Sequence, residues 1–313
     1  MASSIGSAPA KIILFGEHAV VYGRPAIAVP VNKLSASVEI TANPELNPGV
    51  VHLIAPDIHL KSDLHDLSSD HPLRAAIQVF MAYADIKVLP ACTIKISSTI
   101  PVASGMGSGA AVTVALLRSL AGFLNAAIPE KILSELTFEV EKIYHGTPSG
   151  IDNTVITYNM PVYFVKGEAP QTFGVAQPIH IVIGDTGIAS STAAAVGDVR
   201  KGWLTDPPRF ESMFDAIGEI SRAARRAIED GHIQQLGKLM NDNQAVLQDL
   251  GVSSPELNTL IDAARFAGAL GAKLSGGGRG GNMIALVNAS KIDDVCGELH
   301  AAGAHQTFST IVK

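Results

Sequence analysis

A glycine-rich stretch at residues 100–111, Ile-Pro-Val-Ala-Ser-Gly-Met-Gly-Ser-Gly-Ala-Ala, most constrains what this chain can fold into. An apolar, β-favouring run at 92–96 precedes it, and a helix-forming run at 110–124 follows it. Glycine tolerates positive φ and lets main-chain N–H groups approach a ligand closely. The first turn of the following helix adds unpaired N–H donors and the positive end of the helix dipole. The stretch therefore predicts a strand, a loop and a helix N-terminus, an arrangement that commonly binds phosphate.

The glycine-rich stretch alone leaves other interpretations open. Alternating Gly and Ser also occur in surface turns and linkers, and the stretch lacks the Lys-Ser/Thr ending of a P-loop. It overlaps a run without charged side chains, from residue 96 to residue 117, which could be mistaken for a membrane span. Pro101 and the many Gly, Ser and Thr residues favour a buried strand, loop and helix instead.

The length of 313 residues predicts two domains, because single hydrophobic cores rarely grow beyond about 250–300 residues. Hydrophobic residues make up 47% of the chain and charged residues 17%, which supplies a sizeable core and argues against global disorder. A polar loop at 166–177 is the predicted boundary, which gives domains at 1–170 and 171–313. Several predicted strands follow one another directly, so we expect an α+β fold.

Charge and cysteine content narrow the class of protein. The net charge of −6 argues against a general nucleic-acid binder. Cys92 and Cys296 lie far apart, so we predict no disulfide framework and expect a reducing compartment. The first ten residues lack the basic region and apolar run of a signal peptide. We therefore expect a cytoplasmic protein with no membrane partner.

Hydrophobic periodicity and chain-breaking residues predict the remaining elements. We expect helices at 74–83, 129–145, 210–230, 233–250, 255–267 and 290–302. We expect strands or β-favouring runs at 11–15, 26–31, 34–41, 154–158, 162–165, 180–183, 283–287 and 307–312. A second glycine loop is predicted at 273–281.

Four titratable residues near these loops could carry chemistry. Lys11, in an apolar strand, either snorkels at a strand edge or stabilises negative charge on a carboxylate or phosphate. Glu141 is either a solvated carboxylate or a Mg²⁺ ligand, and Asp152 either caps a turn or acts as a base toward a hydroxyl. His18 has no Cys/His cluster around it, which favours a structural or substrate-contacting role over metal binding. These parts suit phosphoryl transfer, but their spacing does not show that they meet.

Four segments together resemble a known family. They are 7–23 (Ser-Ala-Pro-Ala-Lys-Ile-Ile-Leu-Phe-Gly-Glu-His-Ala-Val-Val-Tyr-Gly), 101–111, 145–153 (His-Gly-Thr-Pro-Ser-Gly-Ile-Asp-Asn) and 273–281 (Lys-Leu-Ser-Gly-Gly-Gly-Arg-Gly-Gly). In order and spacing they resemble the GHMP kinases, which phosphorylate galactose, homoserine, mevalonate or phosphomevalonate, and the mevalonate-phosphorylating branch most closely. The resemblance is specific because it extends over nearly the full chain.

The resemblance implies a fold and a reaction. The fold would be the two-domain GHMP kinase fold, with an N-terminal domain like ribosomal protein S5 domain 2 and a ferredoxin-like C-terminal domain. The reaction would use ATP and Mg²⁺ to phosphorylate the 5-hydroxyl of (R)-mevalonate in isoprenoid precursor biosynthesis, and the family suggests a homodimer.

The resemblance also implies roles for individual residues. Lys11 and Asp152 would be catalytic, and Glu141 and Ser108 would bind Mg²⁺. The ATP phosphates would contact Pro101, Ala103, Ser104, Gly105, Met106, Gly107, Ser108 and Gly109. Mevalonate would contact Lys11, Glu17, His18, Asp152, Thr192 and Gly277.

The sequence departs from the family pattern at several positions. Gly109 replaces the serine that usually binds Mg²⁺, which leaves Ser108 or water for that role. Ala103 replaces a family glycine, and Ala193 stands where some mevalonate-phosphorylating members have arginine. Arg279 interrupts the last glycine motif, where its cation lies either beside the phosphates or at the surface.

Two other functions remain open from the sequence. One is phosphorylation of a different small molecule, as in the phosphomevalonate and sugar kinases. The other is a non-catalytic sensor that binds ATP and a metabolite. The presence of Lys11, Glu141 and Asp152 argues against the sensor.

Overall fold

The computed structural model of the protein describes residues 3–101, 104–145, 148–189 and 191–313. Its contacts divide the chain into two compact units. The first unit contains Met1–Ala10, Leu34–Val102 and Gly107–Asn159, and the second contains Lys11–Lys33, Ala103–Met106 and Met160–Lys313. Strands β1 (Ser3–Phe15) and β2 (Ala26–Ala42) contribute residues to both units. The domain ranges 1–170 and 171–313 stay a prediction.

The first unit contains a mixed sheet. Its strands lie in the order β4 (Leu60–Asp63), β3 (Val51–Ala55), β5 (Cys92–Ser98) and the second half of β2. Strand β5 runs antiparallel to β2 and parallel to β3. A parallel pair needs a crossover connection, and helix α1 (Pro72–Tyr83) lies in the connection between β3 and β5. The strands predicted at 34–41 and 92–96 and the helix predicted at 74–83 are confirmed.

Four helices of the first unit pack against one another. Helices α2 (Ser108–Phe123) and α3 (Glu130–His145) both contact α1 and each other. Helix α4 (Ile151–Tyr158) contacts α2 and α3. The helices predicted at 110–124 and 129–145 are therefore confirmed.

The prediction of a β-favouring run at 154–158 is wrong, because helix α4 occupies these residues. Thr154 Oγ1 donates to the carbonyl oxygen of Gly150 at 2.7 Å, which satisfies the hydroxyl within the helix. Val155 and Ile156 are fully buried. Burial against neighbouring helices outweighs the β-preference of branched side chains, because that preference depends on context.

The second unit contains a four-stranded antiparallel sheet. Its strands lie in the order β11 (Gln306–Val312), β8 (Ile179–Asp185), β10 (Asn282–Val287) and β9 (Gly271–Ser275). The first half of β2 pairs with β6 (Val162–Phe164), which pairs with the short β7 (Gln171–Thr172). The predicted strands at 26–31, 162–165, 180–183, 283–287 and 307–312 are confirmed.

Five helices of the second unit connect these strands. They are α5 (Thr192–Thr205), α6 (Pro207–Asp230), α7 (Ile233–Asp249), α8 (Pro255–Phe266) and α9 (Ile292–Ala301). Side chains of α6, α7, α8 and α9 share one buried apolar cluster with the sheet. Helix α5 is not predicted from the sequence, because its Ala- and Gly-rich start carries little periodicity. The Ser191 side chain caps it by accepting from Ala194 N at 3.2 Å. Across the described ranges, no helix is both long and apolar enough to cross a membrane.

Candidate active site

The glycine-rich stretch folds as a tight loop that ends in a helix N-terminus. Gly105 has φ +74° and Gly107, the N-cap of α2, has φ +75°. A Cβ at Gly105 would meet no described atom within 4 Å, so this glycine is required for its backbone conformation rather than for space. The strand, loop and helix predicted here are confirmed, and phosphate binding stays a prediction. Ala103 lies outside the described residues.

Lys11 lies beside this loop in the second unit. Its main-chain N–H donates to the carbonyl oxygen of Met106 at 3.0 Å, and its side chain is buried. On the other side of the loop, Asn282 Nδ2 donates to the carbonyl oxygen of Ser104 at 2.7 Å. The loop is therefore held by main-chain contacts from β1 and by a side chain of β10. Of the two interpretations of Lys11, a cation near the phosphate loop fits this placement better than an exposed strand edge.

The acidic candidates belong to the first unit. Glu141 lies in the last turn of α3 and is buried, with 4% of its surface exposed. Asp152 lies in the first turn of α4, behind the N-cap Gly150 with φ +89°. Asn153 Nδ2 donates to Ser134 Oγ at 2.9 Å and so fixes α4 to α3. Glu141 is therefore no solvated surface carboxylate.

Glu17 forms a buried ion pair with Lys273 of β9 in the second unit. Lys273 Nζ also donates to the carbonyl oxygen of Leu274 at 2.6 Å. Burial raises the pKa of Glu17, and it lowers the pKa of Lys273, whereas the attraction between the two charges opposes both changes. The structure thus places Glu17 against a cation of the chain itself.

His18 is buried one residue further along the chain. Its Nε2 lies 3.0 Å from the carbonyl oxygen of Gly277, so Nε2 carries the proton and donates. Burial lowers the pKa of His18 to about 4, and the nearby Arg279 and Lys273 charges contribute to that shift. The imidazole is neutral at pH 7. Within the described part of the chain, no group hydrogen-bonds to its buried Nδ1, which is an acceptor in this tautomer.

Thr192 and Gly277 lie against each other. Thr192 is the first residue of α5, and a Cβ on Gly277 would come within 2.9 Å of its Oγ1. Only glycine permits this approach between the helix and the second glycine loop. The structure therefore brings His18, Gly277 and Thr192 together, and their contact with a substrate stays a prediction.

Arg279 is paired across the same loop. Its Nη1 donates to Asp198 Oδ2 at 2.6 Å, and Asp198 also accepts from Lys201 at 2.9 Å. The Arg279 hydrogen bond lowers the pKa of Asp198, and Lys201 adds to this effect. The guanidinium is thus directed to helix α5.

Three positioning contacts were missed from the sequence: Lys273 with Glu17, Asp198 with Arg279, and Asn282 with Ser104. A signal for one of them was available. Lys273 lies between Ala272 and Leu274, which is the same pattern of a lysine among apolar residues that singled out Lys11.

Comparison with known proteins decides the family. The GHMP kinases N terminal domain matches residues 71–159, and the GHMP kinases C terminal domain matches residues 224–305. The mevalonate kinase of Pyrococcus abyssi is 35% identical over 99% of this chain and 96% of its own length. The chain belongs to the GHMP kinase family. A member of this kinase family uses ATP, and the predicted enzyme class is confirmed.

Solved structures of this family share the fold. L. major mevalonate kinase in complex with R-mevalonate has a TM-score of 0.84 and 30% identity, and the match covers 100% of this chain and 96% of that one. Methanococcus jannaschii mevalonate kinase has a TM-score of 0.86 and 26% identity, with 99% and 98% covered. The two-domain GHMP kinase fold predicted from four short segments is confirmed over the whole chain.

Proposed function

We propose that this GHMP kinase transfers the γ-phosphoryl group of ATP to the 5-hydroxyl of (R)-mevalonate and produces 5-phosphomevalonate, a step of isoprenoid precursor biosynthesis. The observation that carries the proposal is the 35% identity to a mevalonate kinase over nearly the full length of both chains. A solved relative that is 30% identical binds R-mevalonate, which supports the same substrate.

In this proposal, Asp152 and Lys11 have different roles at the reacting oxygen. Asp152 orients the 5-hydroxyl and accepts its proton as the oxygen–phosphorus bond forms and the bond to the leaving ADP breaks. Lys11 stabilises the developing negative charge on the reacting oxygen and the transferred phosphoryl group. The hydrogen bond of Lys11 N–H to Met106 supports this role, because it sets the lysine beside the phosphate loop.

The ATP phosphates bind the loop 101–109 and the N-terminus of α2 in this proposal. The positive φ of Gly105 and Gly107 lets the loop backbone approach anionic oxygens closely. Because Gly107 has no side chain, the helix N-terminus has no side-chain oxygen of its N-cap to compete with phosphate.

Glu141 and Ser108 fit a Mg²⁺ ion. A carboxylate and a hydroxyl are the hard oxygen donors that Mg²⁺ prefers, and a buried carboxylate such as Glu141 is favoured beside a cation. Gly109 offers no side-chain ligand, so phosphate oxygens and water would have to supply the remaining ligands. When bound, Mg²⁺ neutralises charge on the β- and γ-phosphates.

Beside Lys11, Glu17 and Asp152, the proposed substrate contacts are His18, Thr192 and Gly277. Since His18 is neutral, it contributes a hydrogen-bond acceptor at Nδ1 rather than a positive charge. A substrate hydroxyl satisfies that acceptor, whereas a carboxylate does not. This chemistry suits a hydroxylated acid, whose carboxylate binds elsewhere.

Coupled ADP release with Mg-ATP tests the proposal on four substrates: mevalonate, phosphomevalonate, galactose and homoserine. We expect turnover on mevalonate alone. Turnover on one of the other three compounds would show that the protein is a GHMP kinase with a different substrate. ATP binding without turnover on any of the four would favour the metabolite sensor.

We also propose a homodimer, from the family resemblance, and a cytoplasmic location, from the composition. Light scattering tests the oligomeric state.

A further inference from the structure

The first and the fourth of the family segments, 7–23 and 273–281, are joined by a row of contacts in the second unit. Lys273 pairs with Glu17, and Ser275 Oγ donates to the carbonyl oxygen of Ile13 at 2.8 Å. The carbonyl oxygen of Gly277 accepts from His18 at 3.0 Å. Side chains two residues apart face the same side of a strand, so Lys273 and Ser275 of β9 both face the 13–18 segment, and the glycine loop that follows adds the Gly277 carbonyl oxygen.

The Glu17–Lys273 pair is the only charged contact in this row. Both side chains are at most 1% exposed, and the main-chain N–H of Gly276 also stabilises the Glu17 carboxylate. Replacing a buried ion pair by apolar groups is often neutral or stabilising, so stability alone does not explain such a pair. A buried ion pair can instead hold neighbouring residues in one conformation. We therefore looked for a residue that this pair holds in place.

His18 is the group that this pair positions. Its φ of +61° is uncommon for a residue other than glycine, so the turn needs outside contacts to hold it. Glu17 precedes His18 directly, and its Oε1 pairs with Lys273, whereas its buried Oε2 has no hydrogen-bond partner among the described residues.

We infer that Lys273 is a positioning residue, which acts through Glu17 to hold His18 in its strained turn, with Nε2 donating to Gly277 beside the proposed substrate contact Thr192. This inference rests on the proposed function for its kinetic consequence. Glu17 then serves as a link within the protein rather than as a direct contact to the substrate.

The kinetic test compares Lys273→Met with the double variant Glu17→Gln/Lys273→Met. The single variant leaves a buried carboxylate without its cation, so we expect a Tm about 10 °C lower and a KM for mevalonate raised about tenfold or more, with the KM for ATP little changed. The double variant removes both charges, so its Tm recovers while its KM for mevalonate stays raised. Recovery of both would show a purely structural pair and overturn the inference.

The control is Lys291→Met in the same unit. Lys291 is exposed and pairs with Asp294 at 2.7 Å, so its replacement removes a lysine–carboxylate pair from the surface. We expect it to change neither the Tm by more than about 2 °C nor either KM. A raised KM for mevalonate in this control would mean that loss of any lysine pair produces the effect.

A spectroscopic test separates this inference from the proposed substrate. The imidazole ¹⁵N signals of His18, assigned by their loss in His18→Asn, report its tautomer and protonation. Among the described residues, the charges that act on His18 are those of Arg279 and Lys273. In the native protein we expect the Nε2–H tautomer, neutral from pH 7 to pH 5. In the double variant we expect a mixed tautomer or titration above pH 5, and unchanged signals would overturn the inference. Absence of mevalonate turnover in the native enzyme would instead defeat the proposed function and leave the ¹⁵N result standing.

Discussion

Arg279 donates from Nη1 to Asp198 Oδ2 at 2.6 Å while its own backbone has φ +60°. A non-glycine residue in a glycine-rich loop is thus held in a left-handed conformation by an ion pair to α5. That helix begins at Thr192, which lies against Gly277 of the same loop. The pair connects the second glycine loop to the helix that carries a proposed substrate contact.

Arg279→Gly exchanges the ion pair for an unstrained backbone. A left-handed non-glycine residue costs about 1–2 kcal/mol, whereas an exposed ion pair contributes little because water screens it. We therefore expect Arg279→Gly to unfold in urea with a free energy equal to or above that of the native protein. Asp198→Asn keeps the strained Arg279 and weakens its anchor, so it should be less stable than Arg279→Gly. The opposite order of the two variants would contradict this account of the loop.

Asp152→Asn and Lys11→Met should each lower kcat by about 10²–10⁴-fold, because each removes a charge that acts on the reacting oxygen. Circular dichroism and the Tm should show that both variants remain folded. Lys238→Met, which removes a lysine that the account does not place at the site, is the matched control and should keep its kcat. A kcat within threefold of the native value in a folded Asp152→Asn protein would remove Asp152 from the mechanism.

Gly105→Ala tests whether the loop needs its left-handed backbone to bind ATP. No described atom lies within 4 Å of the added Cβ, so the change acts through φ alone and should destabilise the protein by about 1 kcal/mol. Gly303→Ala introduces a Cβ into equally open space at φ +100° after α9. Both variants should lose stability in urea, whereas only Gly105→Ala should raise the KM for ATP. An equal effect on that KM would argue against phosphate binding by the loop.

The neutral His18 makes stability depend on pH. Its pKa is about 4 in the folded protein and near 6.5 in the unfolded chain, so the unfolded chain binds the proton first as the pH falls. The contribution of His18 is complete above pH 6.5 and is lost between pH 6.5 and pH 4, by up to about 3 kcal/mol.

Urea unfolding of the native protein and His18→Asn at pH 7 and pH 5 isolates this contribution. Asparagine suits a positive φ, so the variant should fold. The native protein should lose more stability than His18→Asn between the two pH values, because only it gains a proton at residue 18 on unfolding. Equal losses would show that His18 titrates normally in the folded state.

Local features of the sequence were sufficient for the strand, glycine loop and helix at 92–123 and for most of the other helices and strands. The alternation of glycine with Met106 and Ser108 between two apolar runs left few other structures possible, and the family motifs then pointed to the fold. Prediction failed at 154–158, where β-branched residues form α4. Their burial arises from contacts between helices that are made only after folding.

Contacts between residues far apart in the chain could not be predicted from the sequence either. Glu17 and Lys273 are 256 positions apart, and no local periodicity reports such a contact. A lysine among apolar strand residues, as at Lys273 and Lys11, indicates that the charge interacts with another group. The sequence pattern does not identify which residue that is. The same limit applies to Asp198 with Arg279.

Phosphorus NMR of the product made from Mg-ATP and (R)-mevalonate tests the central claim most directly. We predict one new phosphate monoester, coupled to the protons of the C5 methylene group, together with an equal amount of ADP. A phosphate on the tertiary 3-hydroxyl, which would lack that coupling, or ADP formed only alongside free phosphate, would contradict the account.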